Sequence, residues 1–536
     1  MRFTRRARLA GVALVAAALV LAGCGGGGDD DAGGNKVITA DVTEPQNPLV
    51  PTNTNETGGG KVIDLLFAGL MTYKTDGTPE NEVAESIESD DNQTWTITLK
   101  DWEFSDGTPV TANSFVDAWN YGALSTNAQN NSYFFESIEG YADVSKENPK
   151  VKEMSGLKVV DDKTFTVKLI QPESDFPTRL GYTAYFPLPE SAFEDMKAFG
   201  EKPIGNGPYT LESWSHDQEL VLAPNKSYQG AREPQNAGVT FKVYTDLEAA
   251  YTDVQAGNLD VIEIVPDGAL SSFETDDSVQ AFTEPSSALA AFAFPNDLEH
   301  FALDDEGRLR RKAISMAIDR EEITDKIFSG GRTPAKDFSA PTMPGWDDSI
   351  AGSEVLEFNP NEAKRLWAQA NDIKQFEGDF VLETNTDGPG NKAYVEAVVN
   401  QVKNNLGIDA KPKFYATFQE FLDARDARKV GAFRAGWQPD YPSIGNYLGP
   451  IYGTDAGSND GDYSNPEFDQ KLKEANAADS DDERFAKYAE AQEILFEDMP
   501  GVPLWQTDVT GAAAKGVENL EYSWKGVPEF HNITKE

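Results

Sequence analysis

The 536-residue chain has one cysteine, Cys24, and three histidines, His216, His300 and His531. A single cysteine excludes an internal disulfide, so stability has to come from packing. The histidines are scattered, with no His-x-x-x-His pair and no cysteine partner, which argues against a zinc site. Cationic side chains are scarce: 46 Lys and Arg stand against 90 Asp and Glu, a formal net charge of −44. Such an excess repels nucleic acid and anionic headgroups, so neither is expected as a partner, and it mildly concentrates amine-bearing ligands. A solvated acidic surface would have the same composition. Long apolar runs are missing too. The uncharged stretch from Leu9 to Val20 is shorter than the roughly 20 residues that span a bilayer, and no later stretch is long and apolar enough.

Catalytic patterns are also absent. No Gly-x-Ser-x-Gly elbow occurs. Gly205-Asn206-Gly207-Pro208 lacks the lysine and the following helix of a phosphate loop, and reads as a tight turn opening a strand from Tyr209 to Trp214. The acidic stretch Asp455 to Asp469 misses calcium-loop spacing, with Gly457 at position three and Pro466 at position twelve, and reads as a solvated loop before a helix. Among 90 carboxylates a pair can be drawn anywhere, so pairs carry no information. No enzyme activity, metal or cofactor is expected.

What is present begins at the N-terminus. Arg2, Arg5, Arg6 and Arg8 precede the apolar run, and Leu21-Ala22-Gly23-Cys24 follows it. This order is that of a secretory signal, and with Cys24 at the cut it resembles a bacterial lipoprotein signal. The resemblance implies cleavage after residue 23 and a diacylglyceryl thioether on Cys24. Two acyl chains give stable attachment where one is marginal, so lipid alone would hold the protein at the extracellular face of the membrane. Residues 24–35, rich in Gly and Asp, read as a flexible leash with a mean reach of roughly 18 Å and at most roughly 36 Å.

The remaining length suggests about three domain-sized units, or two large lobes. Strands are expected at Val37 to Val42, Trp95 to Leu99 and Leu259 to Ile264, a hairpin over Gly156 to Ile170, and a helix at Lys61 to Met71. Thr111 can cap a helix carrying Phe115 and Trp119, and Asp246 one that stops at Gly257. From Asn359 onward helices alternate with strands at Phe380 to Glu383, Ile408 to Phe414 and Ala432 to Trp437, which implies helices on a mostly parallel sheet. Two long helices, Pro466 to Ala478 and Asp482 to Asp498, lead to a strand at Val502 to Gln506 and a tail.

The segment Phe433-Arg434-Ala435-Gly436-Trp437-Gln438-Pro439-Asp440-Tyr441 runs from a strand into a turn and presents Trp437, Asp440 and Tyr441 at its end. Ligands of open α/β sheets bind beyond the carboxyl ends of strands, and a carboxylate beside aromatic walls suits an ammonium. A packed Trp and a helix-capping Asp would have the same pattern.

The chain resembles the extracytoplasmic solute-binding proteins of peptide-type ABC importers, solute-binding family 5. Four stretches carry the resemblance: Leu66 to Leu70; Trp95 to Lys100 running into Phe104 to Ala112; Pro203 to Tyr209; and Leu309 to Arg320. It implies an α/β fold of the type II periplasmic-binding-protein kind, two lobes around a ligand cleft, with an extra domain inserted in the first. Lobe I would comprise residues 36–67, 198–296 and 506–536, the insert 68–197 and lobe II 297–505. Carried over by position, Asp440 would pair with a peptide α-amine, and Gly436 and Gln438 would bond the peptide backbone through their main chain. Trp437 and Tyr441 stand in the same clamp. Arg434 and Arg425 would face a peptide carboxylate, and Tyr133 and Thr57 would supply the opposite wall. The implied protein is a monomer that delivers short peptides to membrane permease subunits with a cytoplasmic ATPase. Relatives of this fold bind nickel complexes, oligosaccharides, haem or siderophores, and a peptide-sensing signalling receptor would use the same trap.

Overall fold

The computed structural model describes residues 36–536 except 267 and 387–389; the leader, Cys24 and the Gly/Asp leash lie outside the described residues. One eleven-stranded sheet runs through the molecule. Its strands follow the order Ala410–Tyr415, Phe380–Asn385, Ala432–Trp437, Val279–Ala293, Gly501–Ala514, Val261–Ile262, Val37–Val42, Gly238–Val243, Glu219–Pro224 and Tyr209–Ser215, and Arg332–Pro334 pairs off Gly501–Ala514. Among the described residues no helix is long and apolar enough to cross a membrane.

Two apolar cores flank this sheet. The first collects Ile38, Ala40, Val42, Val62, Ile63, Val239 and Phe241 together with the four-stranded antiparallel sheet of Ala84–Glu88, Thr94–Leu99, Thr164–Lys168 and Leu157–Asp161. In Thr94–Leu99 the alternation works as period two requires, with Trp95, Ile97 and Leu99 buried. Against them packs the helix Ala112–Ala123. Its Phe115 stacks on Phe165 (5.9 Å), and its Trp119 donates its indole N–H to the Tyr185 carbonyl (2.9 Å). The second core gathers Leu289, Phe292, Phe380, Leu382, Ala432 and Trp505 around the helix Asn391–Leu406. That helix turns Val395, Val398, Val399 and Val402 inward, each contributing roughly 1.5–3 kcal/mol relative to exposure.

Two long antiparallel strands, Val279–Ala293 and Gly501–Ala514, pass from one core to the other. Val279 and Ala512 belong to the first core, and Leu289, Phe292, Val502 and Trp505 to the second. Their pairing breaks register between Pro285 and Leu289, where the Ser286 hydroxyl bonds the Thr507 carbonyl instead. Such a bulge bends and twists a strand locally. The Leu309 to Arg320 motif turns out to brace the second core. Arg311 donates to the carbonyls of Asp498 and Met499 (both 3.0 Å) and Arg320 to that of Pro503 (2.9 Å), so buried guanidiniums satisfy helix-end and strand carbonyls.

Several expectations need correction. The helix expected over Lys61 to Met71 spans Thr57–Leu66, capped by the Glu56 carboxylate accepting from the Gly59 N–H (2.8 Å). It ends because the Asn206 side chain takes both the N–H and the carbonyl of Ala68 (3.0 Å each), leaving Ala68 no helical partners. The chain approaches so closely there that a Cβ at Gly205 would lie 1.9 Å from the Leu66 carbonyl oxygen. The strand Leu259 to Ile264 shrinks to Val261–Ile262, and Val502 to Gln506 is part of a fourteen-residue strand. The parallel pairing expected of the second half holds for Phe380–Asn385 with both Ala410–Tyr415 and Ala432–Trp437, whereas the two long strands are antiparallel.

Candidate functional site

The site grows from the strand Ala432–Trp437. On one side it pairs with Val279–Ala293 from Phe433 to Trp437; on the other, Phe380–Asn385 pairs only with Ala432 and Phe433. From Arg434 to Trp437 the second edge is therefore open, and an open edge offers backbone donors and acceptors to an added strand. The turn beyond it is pinned by Asn446, whose Oδ1 accepts from both the Asp440 N–H (2.9 Å) and the Trp437 indole (3.2 Å).

Two cavities meet along this segment, and Gln438 borders both. The larger, of about 600 Å³, is lined by Arg434, Gly436, Trp437, Tyr394, Phe418 and Trp505 among others. Here the Arg434 guanidinium lies 5.9 Å from the Phe418 ring centre. Its charge opposes the burial that pushes the Tyr394 hydroxyl up to about 12. The smaller cavity, of about 310 Å³, is lined by Asp440 and Thr57 together with Asp64, Tyr182, Lys525 and Glu529. Burial pushes the Asp440 carboxyl up, and the Lys525 charge opposes that rise.

This end of the cleft is rich in charge. Behind it, Lys61 pairs with Glu263 (2.6 Å), and Arg232 reaches Glu82 and Asp64 (3.3 Å each). Burial raises Glu529 to about 7, with Asp64 adding to the rise, while burial and Arg232 lower His531 to about 4. At pH 7 His531 is consequently neutral, and Glu529 titrates far closer to neutrality than an ordinary carboxyl. Among the described residues no group of three His, Cys, Asp or Glu is placed to hold a metal ion.

Asp440, Trp437, Gly436, Gln438, Arg434 and Thr57 thus line the two cavities that meet at Gln438. Tyr133 stands beside them, 52% exposed, its ring 4.4 Å from Phe134, which in turn lies 4.3 Å from Tyr182. Its hydroxyl is pushed up by burial, with the Asp440 charge adding to the rise, although Tyr133 lines neither cavity. Two residues are not brought in. Tyr441 is buried under Arg179 (5.6 Å), away from both cavities. Arg425, on the helix Phe418–Asp426, is held by Asp460 at 2.6 Å, so its charge answers the acidic loop instead of a ligand. That loop is accordingly more than solvated surface: it holds Arg425 and Arg428, and its Asn465 caps Pro466–Asn476.

Lys525, Tyr182, Asp64, Glu529 and Arg232 were not among the residues singled out from the sequence. They sit on separate stretches of chain that line or back one cavity only because the chain folds back. The one local hint is the aromatic density of Tyr522, Trp524, Phe530 and His531 in a tail without periodicity.

Two cores joined by a pair of crossing strands, with an open strand edge in the cleft between them, define a two-lobed solute-binding protein of the type II fold. The chain belongs to the bacterial extracellular solute-binding proteins, family 5, whose sequence model matches residues 78–459. The periplasmic murein peptide-binding protein MppA of Escherichia coli K12 is 30% identical over 455 residues, covering 83% of each chain. The oligopeptide-binding protein OppA of Bacillus subtilis 168 is 26% identical over 508 residues, covering 91% of each. The unliganded open form of the MppA murein tripeptide binding protein superposes with a TM-score of 0.81 at 25% identity, over 94% of this chain and 98% of that one. A second MppA structure superposes with a TM-score of 0.72 at 25% identity.

Proposed function

We propose that this protein captures short peptides between its two lobes, outside the membrane, and hands them to the permease of an ABC importer with a cytoplasmic ATPase. The observation that carries this reading is the strand edge left open from Arg434 to Trp437, with a guanidinium at its start and the Asp440 carboxylate just past its end. A peptide is itself a short strand with an ammonium at one end and a carboxylate at the other, so it matches that arrangement in backbone pairing and in charge. Arg434 would face the carboxylate, Asp440 the α-amine, and Gly436 and Gln438 the peptide backbone. Similarity to peptide-binding relatives over most of the chain supports the same ligand class.

The protein acts as a monomer without catalytic chemistry. Lobe I comprises residues 36–67, 198–296 and 506–536, the insert 68–197 and lobe II 297–505; the change of core between 505 and 512 fits the start of the last segment, whereas Leu289, Phe292 and Phe294 already pack in the second core. Closure is a population shift between open and closed lobes bending at the 285–289 register break. Cys24 carries the lipid, and Cys24→Ser should release the protein into the medium with ligand affinity intact. Native mass spectrometry of the purified protein tests the main reading: a co-purified mass that fragments as a peptide supports it, and a sugar, metal complex or haem mass sinks it.

A further inference from the structure

The subsite assigned to the ligand amine already holds an ammonium of the chain's own. Residues Ser523 to Gly526 form a tight turn in which the Gly526 N–H donates to the Ser523 carbonyl (2.7 Å) and the Ser523 N–H to that of Val527 (2.8 Å). Gly526 has φ +85°, and a Cβ there would lie 2.7 Å from Val509 Cγ2 and 3.0 Å from Ser286 Cβ. The turn is therefore pressed onto the two crossing strands beside their register break. Trp524 fixes it further, edge-on to Tyr73 at 5.7 Å. Gln438 then reaches across to donate its side-chain N–H to the Lys525 carbonyl (3.3 Å), tying the turn to the segment that carries Asp440.

This geometry brings Lys525 into the cavity of Asp440, with Nζ 5.6 Å from the centre of the Tyr182 ring. Among the described residues no carboxylate closes an ion pair with that ammonium. Facing it are Asp440 beyond the strand Ala432–Trp437, Asp64 on the helix Thr57–Leu66, Glu529 and His531 on its own tail, Arg232, and Tyr182. Arg232 is engaged by Glu82 and Asp64, and Lys61 by Glu263. An ammonium over an aromatic face with a carboxylate in the same cavity is the environment that a ligand amine would seek.

We infer that Lys525 is a resident ammonium of the amine subsite: it answers the Asp440 charge while the cleft is empty, and an arriving ligand ammonium has to share that carboxylate with it. The ligand's identity rests on the peptide reading above, whereas the electrostatic coupling of Lys525 to Asp440 across their shared cavity does not. Burial raises the Asp440 carboxyl and lowers the Lys525 ammonium, and the charge of each opposes the other's shift. Lys525 thus sets specificity. It lowers affinity for a simple α-amine, and its charge opposes the burial that favours the protonated Asp440 carboxyl. Without Lys525 the Asp440 carboxyl titrates higher, so ammonium binding weakens as pH falls through that raised value.

Two measurements decide the inference. The first needs no ligand. The Lys525 ¹³Cε resonance, assigned by its loss in Lys525→Met, is titrated in the wild type and in Asp440→Asn. The Lys525 pKa should fall in Asp440→Asn, and an unmoved value overturns the inference. The second is calorimetry with trialanine and N-acetyl-trialanine at pH 8 and pH 5. Lys525→Met and Lys525→Gln should bind trialanine at least about ten-fold more tightly than the wild type at pH 8, a factor of ten being 1.4 kcal/mol. The gain should shrink at pH 5, and the acetylated peptide should change less than two-fold. Equal or weaker trialanine binding by both variants at pH 8 overturns the inference. Should the wild type not distinguish the free from the acetylated peptide, the peptide-amine reading fails, and the lysine titration alone decides the role of Lys525.

Discussion

The two ends of the cleft meet a ligand with opposite electrostatic designs. At the Asp440 end, carboxylates and cations from four stretches of chain crowd a cavity of about 310 Å³, and the titrating groups there are displaced by burial. At the Arg434 end, two guanidiniums, Arg434 over Phe418 and Arg332 over Phe328, line a wider cavity of about 600 Å³ whose walls mix aromatic, small and uncharged polar residues. Low-dielectric surroundings make each charge at the first end count for more, both in attraction and in the cost of leaving it unpaired. In the wider cavity water can adapt to different ligands and screens the charge. On the proposed peptide reading, the Asp440 end should therefore discriminate sharply and respond to pH, and the Arg434 end should tolerate variation.

The contrast can be broken most directly at Asp440. Asp440→Ala should weaken binding of free-amine peptides by at least about ten-fold, since breaking a buried charge pair costs roughly 3–5 kcal/mol; unchanged calorimetric affinity would sink the assignment. Next is Glu529, whose folded pKa of about 7 lies above the ordinary 4.5. An acid so raised costs stability as pH climbs from about 4.5 through 7, because the folded state holds the proton that the unfolded chain releases. Glu529→Gln should therefore be the more stable protein at pH 8, by up to about 3 kcal/mol, and equal to the wild type at pH 4.5; melting curves parallel at both pH values would contradict this. His531 works the other way, since the unfolded chain binds its proton between about 6.5 and 4, so stability is lost on acidification across that window. A smaller effect is expected at the other end. Arg434→Ala should weaken peptides with a free carboxylate about ten-fold, with amidated peptides unaffected, and equal losses for both would remove Arg434 from the carboxylate role. Smallest is Arg425→Ala, which loses an ion pair to Asp460 worth up to about 1 kcal/mol and should leave peptide affinity alone. A large loss of binding there would restore Arg425 to the site.

Legibility in the sequence followed the range of the interactions. Ala432–Trp437 and Val37–Val42 were bounded as found, because side-chain alternation and flanking turn residues are local signals. Gly257 and Gly407 end their helices at positive φ, as the lack of a Cβ allows. The helix after Glu56 was misplaced because its stop signal lies in Asn206, about 140 positions away. Arg425 and Arg434 look alike in sequence, and only the fold shows that Asp460 takes one of them. Tyr441 was separated from Asp440 by a turn that sends consecutive side chains to different places.

The sequence by itself determined the class of protein, the composition that rules out other classes, the strand bearing the open edge, and the carboxylate beyond it. These depend on residue type and spacing along a few turns of chain. Which charges face one another was decided by tertiary structure alone. Lys525 shares a cavity with Asp440 because a glycine turn in the tail packs against the register break of two strands from elsewhere in the chain. Coulomb energy depends on distance through space and on how much water is excluded, and neither can be read from positions along a chain.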